Sequence, residues 1–138
     1  MVFGAFDGLH SGHLHFFRQA RKYGDTLLVS VGTDRNVEKI KGKKPVLSES
    51  ERVDLIKQLR IVDDAILGAE ADYFLHIKEH MPDVICLGYD QWAQEESVRK
   101  GLDEVGLFKT QIYRLESYEP TRAKSTILKK KSAEFNEH

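Results

Sequence analysis

His10 and His13 stand three residues apart in the stretch Phe3-Gly4-Ala5-Phe6-Asp7-Gly8-Leu9-His10-Ser11-Gly12-His13. Three residues make nearly one helical turn, so both imidazoles fall on the same side of a helix start. The first turn of a helix carries unpartnered backbone N–H groups and the positive end of its dipole, which together attract anions. Gly4, Gly8 and Gly12 permit tight turns and let a phosphate approach the main chain without meeting a side chain. This combination is suited to holding a polyphosphate, with His10 and His13 as additional donors. An H-x-x-H pair is also a metal-ligand spacing, but with a lone cysteine and no third ligand clustered nearby no structural zinc site is expected.

Other residues add to this chemistry. Lys39, Lys41, Lys43 and Lys44 crowd one segment, where flexible ammonium groups can follow a charged ligand. Arg52 falls early in a helix, a place where the dipole favours an acid, so an anion is expected near it. Asp7 precedes Gly8 and would by default form a turn. Gly88-Tyr89-Asp90-Gln91-Trp92 follows an apolar run, and Tyr89 and Trp92 offer faces for stacking on a planar ring. Ser125 and Thr126 stand where a last helix begins, with hydroxyls that can cap it and bind phosphate together.

The elements that must position these groups alternate in type. Strands are expected over Met1 to Gly4, Thr26 to Val31, Ala65 to Leu67, Val84 to Leu87 and Gln111 to Leu115. Helices are expected over Ser11 to Tyr23, from Asp34 as a cap toward Ile40, from the Ser48-x-x-Glu51 capping box through Leu59, over Ala71 to Glu79, Gln94 to Val105 and Arg122 to Lys131. Lys39 to Pro45 reads as a flexible basic loop. Such alternation implies a single Rossmann-like α/β domain, a five-stranded parallel sheet with helices on both faces. The domain is expected over residues 1–131, with a polar tail over 132–138. Ligands on such sheets bind at the carboxyl ends of the strands, where the histidine turn, Thr33-Asp34, Gly88 to Asp90 and the 118–126 segment all fall.

Composition excludes several classes. Lys+Arg 21 against Asp+Glu 22 leaves a net charge of −1, which argues against a broad nucleic-acid or membrane surface. The single cysteine, Cys86, rules out an intrachain disulfide framework and fits a reducing cytoplasm. No apolar run approaches membrane-spanning length.

Phe3-Gly4-Ala5-Phe6-Asp7 followed by His10-Ser11-Gly12-His13 resembles the G-T-F-D…H-x-G-H signature of the cytidylyltransferase-like nucleotidyltransferases. The likeness runs on through Gly32-Thr33-Asp34, the lysine-rich loop, Ser50-Glu51-Arg52 and Leu87-Gly88-Tyr89-Asp90-Gln91. The last of these is similar to the run in archaeal-type FAD synthases, whereas glycerol-3-phosphate cytidylyltransferases have a glycine followed by acidic residues. Cytidylyltransferases also have an R-T-E-G-I-S-T run. Here Thr121-Arg122-Ala123-Lys124-Ser125-Thr126 keeps the hydroxyls, loses the glycine and moves the arginine closer.

The resemblance implies transfer of a nucleoside monophosphate from a nucleoside triphosphate, ATP or CTP, to a phosphorylated acceptor, with Mg²⁺ on the triphosphate. FMN is the first expectation for the acceptor. Glycerol 3-phosphate or another phosphorylated alcohol or sugar is the alternative, and a non-catalytic nucleotide sensor is the alternative of another class. By this resemblance His10, His13, Lys41 and Lys44 are catalytic, with His13 best suited when protonated or strongly polarised. Gly4, Ala5, Phe6, Gly12, Gly88, Asp90, Arg122, Ser125 and Thr126 meet the nucleotide and its phosphates, and Asp7 and Arg52 meet the acceptor. No metal ligand from the protein is assigned. Relatives are often homodimers, though no stripe in this sequence marks an interface.

Overall fold

The computed structural model describes residues 1–91 and 93–117. Trp92, the helix expected over 122–131 with Arg122, Ser125 and Thr126, and the tail over 132–138 lie outside the described residues. Strands and helices alternate as β1 (Val2–Gly4), α1 (Ser11–Arg21), β2 (Leu28–Val31), α2 (Asp34–Lys41), α3 (Glu49–Lys57), β3 (Asp64–Leu67), α4 (Tyr73–His80), β4 (Val84–Leu87), α5 (Glu95–Glu104) and β5 (Gln111–Arg114).

All the strand pairs are parallel, β1 with β2, β2 with β3 and β4 with β5. The ladder forms a three-stranded sheet, β1-β2-β3, and a two-stranded one, β4-β5. Met1 joins them: its amino nitrogen donates to Val84 O at 2.8 Å and its carbonyl accepts from Cys86 N at 3.1 Å. That is the bonding pattern of a parallel pair. The spatial order is therefore β3-β2-β1-β4-β5, and the direction of winding reverses between β1 and β4. In open α/β sheets a crevice opens at such a reversal, beyond the carboxyl ends of the strands.

Alternate residues of each strand feed two cores. Val2, Val29, Val31, Ala65 and Cys86 pack with Phe17 of α1 and Ile56 of α3. Ile85 and Leu87, with Phe3 against them, pack with Ile77 of α4 and Val98 and Leu102 of α5. Burial on both faces explains why the strands read as nearly continuous apolar runs.

Two local features differ from the sequence reading. Thr33, not Asp34, caps α2, its Oγ1 accepting from Asn36 N at 3.1 Å. The helix then continues through Lys41, so Lys39 and Lys41 belong to its last turn and only residues 42–47 form a loop. Cations suit that end of the dipole, and Gly42, with φ +80°, supplies the left-handed residue that closes the helix.

Candidate functional site

The turn between β1 and α1 sits at the winding reversal. Phe6 adopts φ +53°, a left-handed conformation that costs a non-glycine residue about 1–2 kcal/mol. Burial offsets it: the Phe6 ring packs against Phe17 with centroids 5.3 Å apart and against the edge of His13 at 5.6 Å. A Cβ on Gly4 would lie 2.7 Å from that ring, so glycine at 4 makes room for it. The glycine turn is thus anchored from beneath by an aromatic side chain.

His10 is the N-cap of α1. Its Nδ1 accepts from Gly12 N at 3.0 Å, and the Nδ1 of His13 accepts from His10 N at 3.2 Å. This is a capping box built from two imidazoles instead of a hydroxyl and a carboxylate. A ring nitrogen that accepts a backbone N–H carries no proton, so in each neutral ring the proton lies on Nε2. The helix end is thereby relayed through the rings, which offer Nε2–H donors where free amides were expected. The rings stack, with centroids 3.9 Å apart and planes inclined by 32°.

The sequence reading favoured a protonated or strongly polarised His13, and the surroundings of the ring disfavour the protonated form. Burial, then the neighbouring His10 and Lys41, lower its pKa to about 4, against a smaller opposing pull from Asp90. His13 is therefore a neutral donor at pH 7.

Asp7 and Arg52 fasten the segments around this turn. The Asp7 carboxylate accepts from Val46 N at 2.7 Å and Leu47 N at 2.9 Å, tying the end of the lysine loop to the glycine turn. These bonds, Leu47's foremost, hold its pKa below the usual carboxylate range. Arg52 is fully buried. It donates from Nη1 to Ala5 O at 2.9 Å and Gly32 O at 2.7 Å, from Nε to Leu47 O at 3.0 Å, and from Nη2 to Asp34 Oδ1 at 2.7 Å. With no exposed surface, Arg52 does not meet an acceptor in this conformation, unlike the contact that the resemblance implies. The anion predicted near it is Asp34, joined by three backbone carbonyls. It gathers the ends of β1 and β2 and the start of α3 into one rim.

Lys41 lies close enough to His13 and Asp7 to lower the pKa of both. Lys44 stands exposed on the loop beyond it. On the other side, Gly88 is buried while Tyr89 and Asp90 are exposed, and the charge of Asp90 reaches His13. Two residues given no role in the sequence reading hold this turn. Gln91 Oε1 accepts from Gly88 N at 2.7 Å while its Nε2 donates to Phe3 O at 2.8 Å, linking the exits of β4 and β1. Arg114 donates to Gly88 O, Gln91 O and Ala93 O at 2.8, 2.9 and 2.5 Å and pairs with Glu95. An arginine inside the last strand was the available signal for it. The assembled rim presents two imidazole Nε2–H groups, the cation of Lys41 and the glycine turns of residues 4–12 and 88. Such a set can bind polyphosphate and neutralise charge developing on it.

The cytidylyltransferase-like family matches residues 1–131. The FAD synthase of Thermoplasma acidophilum is 40% identical over 135 residues, covering 98% of this chain and 94% of that protein. The FAD synthase of Methanohalophilus mahii is 45% identical over 112 residues, 81% of this chain and 77% of that protein. Among solved structures, one described as the lipopolysaccharide core biosynthesis protein from Thermoplasma volcanium superposes with a TM-score of 0.82 at 39% identity. It covers 86% of this chain and 96% of its own.

Proposed function

The chain belongs to the cytidylyltransferase-like family, and from that premise we propose that it is an FMN adenylyltransferase, forming FAD and pyrophosphate from ATP and FMN. Carrying this reading is the imidazole-capped turn at the winding reversal, in a chain 40% identical to an FAD synthase over nearly its whole length.

In this reading an oxygen of the FMN phosphate attacks the α-phosphorus of ATP in line. The new P–O bond forms as the bond to the β-phosphate oxygen breaks, and pyrophosphate leaves with that electron pair. The attacking oxygen is already anionic, so no strong general base is needed, and the protein's work is positioning and charge neutralisation. His10 and His13 donate from Nε2 to phosphate oxygens as charge builds there. Lys41, Lys44, Arg122, Ser125 and Thr126 add to the phosphate cradle, while Gly88 and Asp90 line the nucleoside side. Tyr89, exposed beside Asp90, offers a face to the adenine or the flavin. Asp7 and Arg52 act by holding the rim.

A divalent cation accompanies the triphosphate, and Mg²⁺ is the one expected. The donors at the rim suit an ion brought in by the nucleotide: Asp7 accepts two backbone N–H groups and Asp34 pairs with Arg52, so the ion would be held chiefly by the phosphates themselves. Bound there, the ion would offset charge on the leaving pyrophosphate. No helix among the described residues is long and apolar enough to cross a membrane.

One observation favours a second reading, since the solved neighbour is described as a lipopolysaccharide core biosynthesis protein. A sugar phosphate is then the acceptor and the chemistry is unchanged. Pyrophosphate release, measured with ATP and CTP against FMN, glycerol 3-phosphate, phosphoethanolamine and heptose 1-phosphate, separates the readings. Release with ATP plus FMN, and FAD as product, is expected. Turnover with a sugar phosphate but not FMN would replace the first reading by the second, and tight nucleotide binding with no release would favour a sensor.

A further inference from the structure

The last turn of α4 carries side chains that the proposed transfer does not use. His76, Glu79 and His80 each bring one ligand-type atom into a group whose members all lie within 4.8 Å of one another. Their spacing of three and four residues sets them along one stripe of the helix. Glu79 and His80 are exposed and His76 is half-buried. The rings of His76 and His80 meet edge to face, with centroids 5.2 Å apart and planes at 74°.

A residue on another element fixes the inner ring. Ser30 of β2, itself buried, has its Oγ 3.1 Å from Nε2 of His76. When Nε2–H donates to that hydroxyl, Nδ1 keeps the lone pair a metal needs. Ligating histidines are usually oriented by such an outer partner on the second nitrogen. Two imidazole nitrogens and a carboxylate suit Zn²⁺, Co²⁺, Ni²⁺ or Cu²⁺, whereas Mg²⁺ prefers oxygen alone.

We propose that His76, Glu79 and His80, backed by Ser30, bind a divalent transition-metal ion of the zinc type on the surface of α4, with water in its remaining positions. The site shares no residue with the nucleotide turn. The ion ties the end of α4 to β2 through Ser30, and binding only the folded chain, it raises the protein's stability.

Calorimetric titration of Zn²⁺ into the full chain, without nucleotide, tests this. One Zn²⁺ per chain is expected, with a rise in Tm. His80→Ala, at an exposed position that leaves the fold intact by circular dichroism, should weaken binding tenfold or more. Ser30→Ala should weaken it on the order of tenfold, as loss of an outer partner does. The His10→Ala, His13→Ala double variant should bind as the unsubstituted chain does. Absence of Zn²⁺ binding, binding unmoved by His80→Ala, or binding that disappears with His10 and His13 would each overturn the proposal.

Discussion

Gly12 is held to its identity by the ring it faces. A Cβ there would lie 2.8 Å from Cε1 of His10 and 2.9 Å from its Nδ1, so any side chain pushes the imidazole off its cap. Gly12→Ala should therefore lower kcat about as much as His10→Ala does. Loss of the cap should also cost stability by about 1 kcal/mol, read from urea unfolding. His13 gives a second prediction, in pH. Its pKa is lowered from 6.5 to about 4 on folding, so between those values the unfolded chain binds the extra proton. The contribution is present in full above about pH 6.5 and is lost as pH falls toward 4. Unfolding free energies measured at pH 7.5 and 5 should show a larger drop for the unsubstituted chain than for His13→Gln. Equal drops would mean that His13 is not held neutral by its surroundings.

At the scale of elements, the rim depends on two side chains that tie separate segments together. Removing the buried Arg52 leaves the carbonyls of Ala5, Gly32 and Leu47 without a donor and Asp34 without its cation. Arg52→Met should destabilise the chain by about 3 kcal/mol or more, because three carbonyls lose a buried donor at about 1 kcal/mol or more each, lowering the urea midpoint. Asp7→Ala should spare the core but release residues 46 and 47. The expected result is a KM for the triphosphate raised about tenfold, since a hydrogen bond to a charged group contributes about 1.5 kcal/mol, in a chain that keeps its fold by circular dichroism with a Tm lowered by a few degrees. The Ser48–Glu51 capping box and the histidine turn are legible in the sequence because each is written in residues three apart, and the β/α alternation because apolar runs and helical periods follow one another. The role of Arg52 is not, since helical position pointed only to a nearby anion, and the carbonyls it holds follow β1 and β2 and close the lysine loop. The course of α2 through Lys41 was hidden by lysines that read equally well as loop, and Gly42 decides the matter through its backbone conformation.

For the whole molecule, the order β3-β2-β1-β4-β5 puts the reversal of winding beside the exits of β1 and β4. The sequence implies a parallel sheet, but the seam made by Met1, Val84 and Cys86 is visible only in three dimensions. It brings the histidine turn against the Gly88–Gln91 turn, and Gln91 bridges the two. Residues 80 positions apart thus share one rim, and the substrates of a transfer reaction can meet across it. Following FAD by its fluorescence during incubation of the chain with ATP, FMN and Mg²⁺, beside the His10→Ala, His13→Ala double variant, probes that rim most directly. The expected result is FAD from the unsubstituted chain and a rate lower by at least 10²-fold in the folded variant, the loss typical of removing even one such donor. FAD formed at equal rates by both would contradict the assignment of the paired imidazoles as the seat of the transfer.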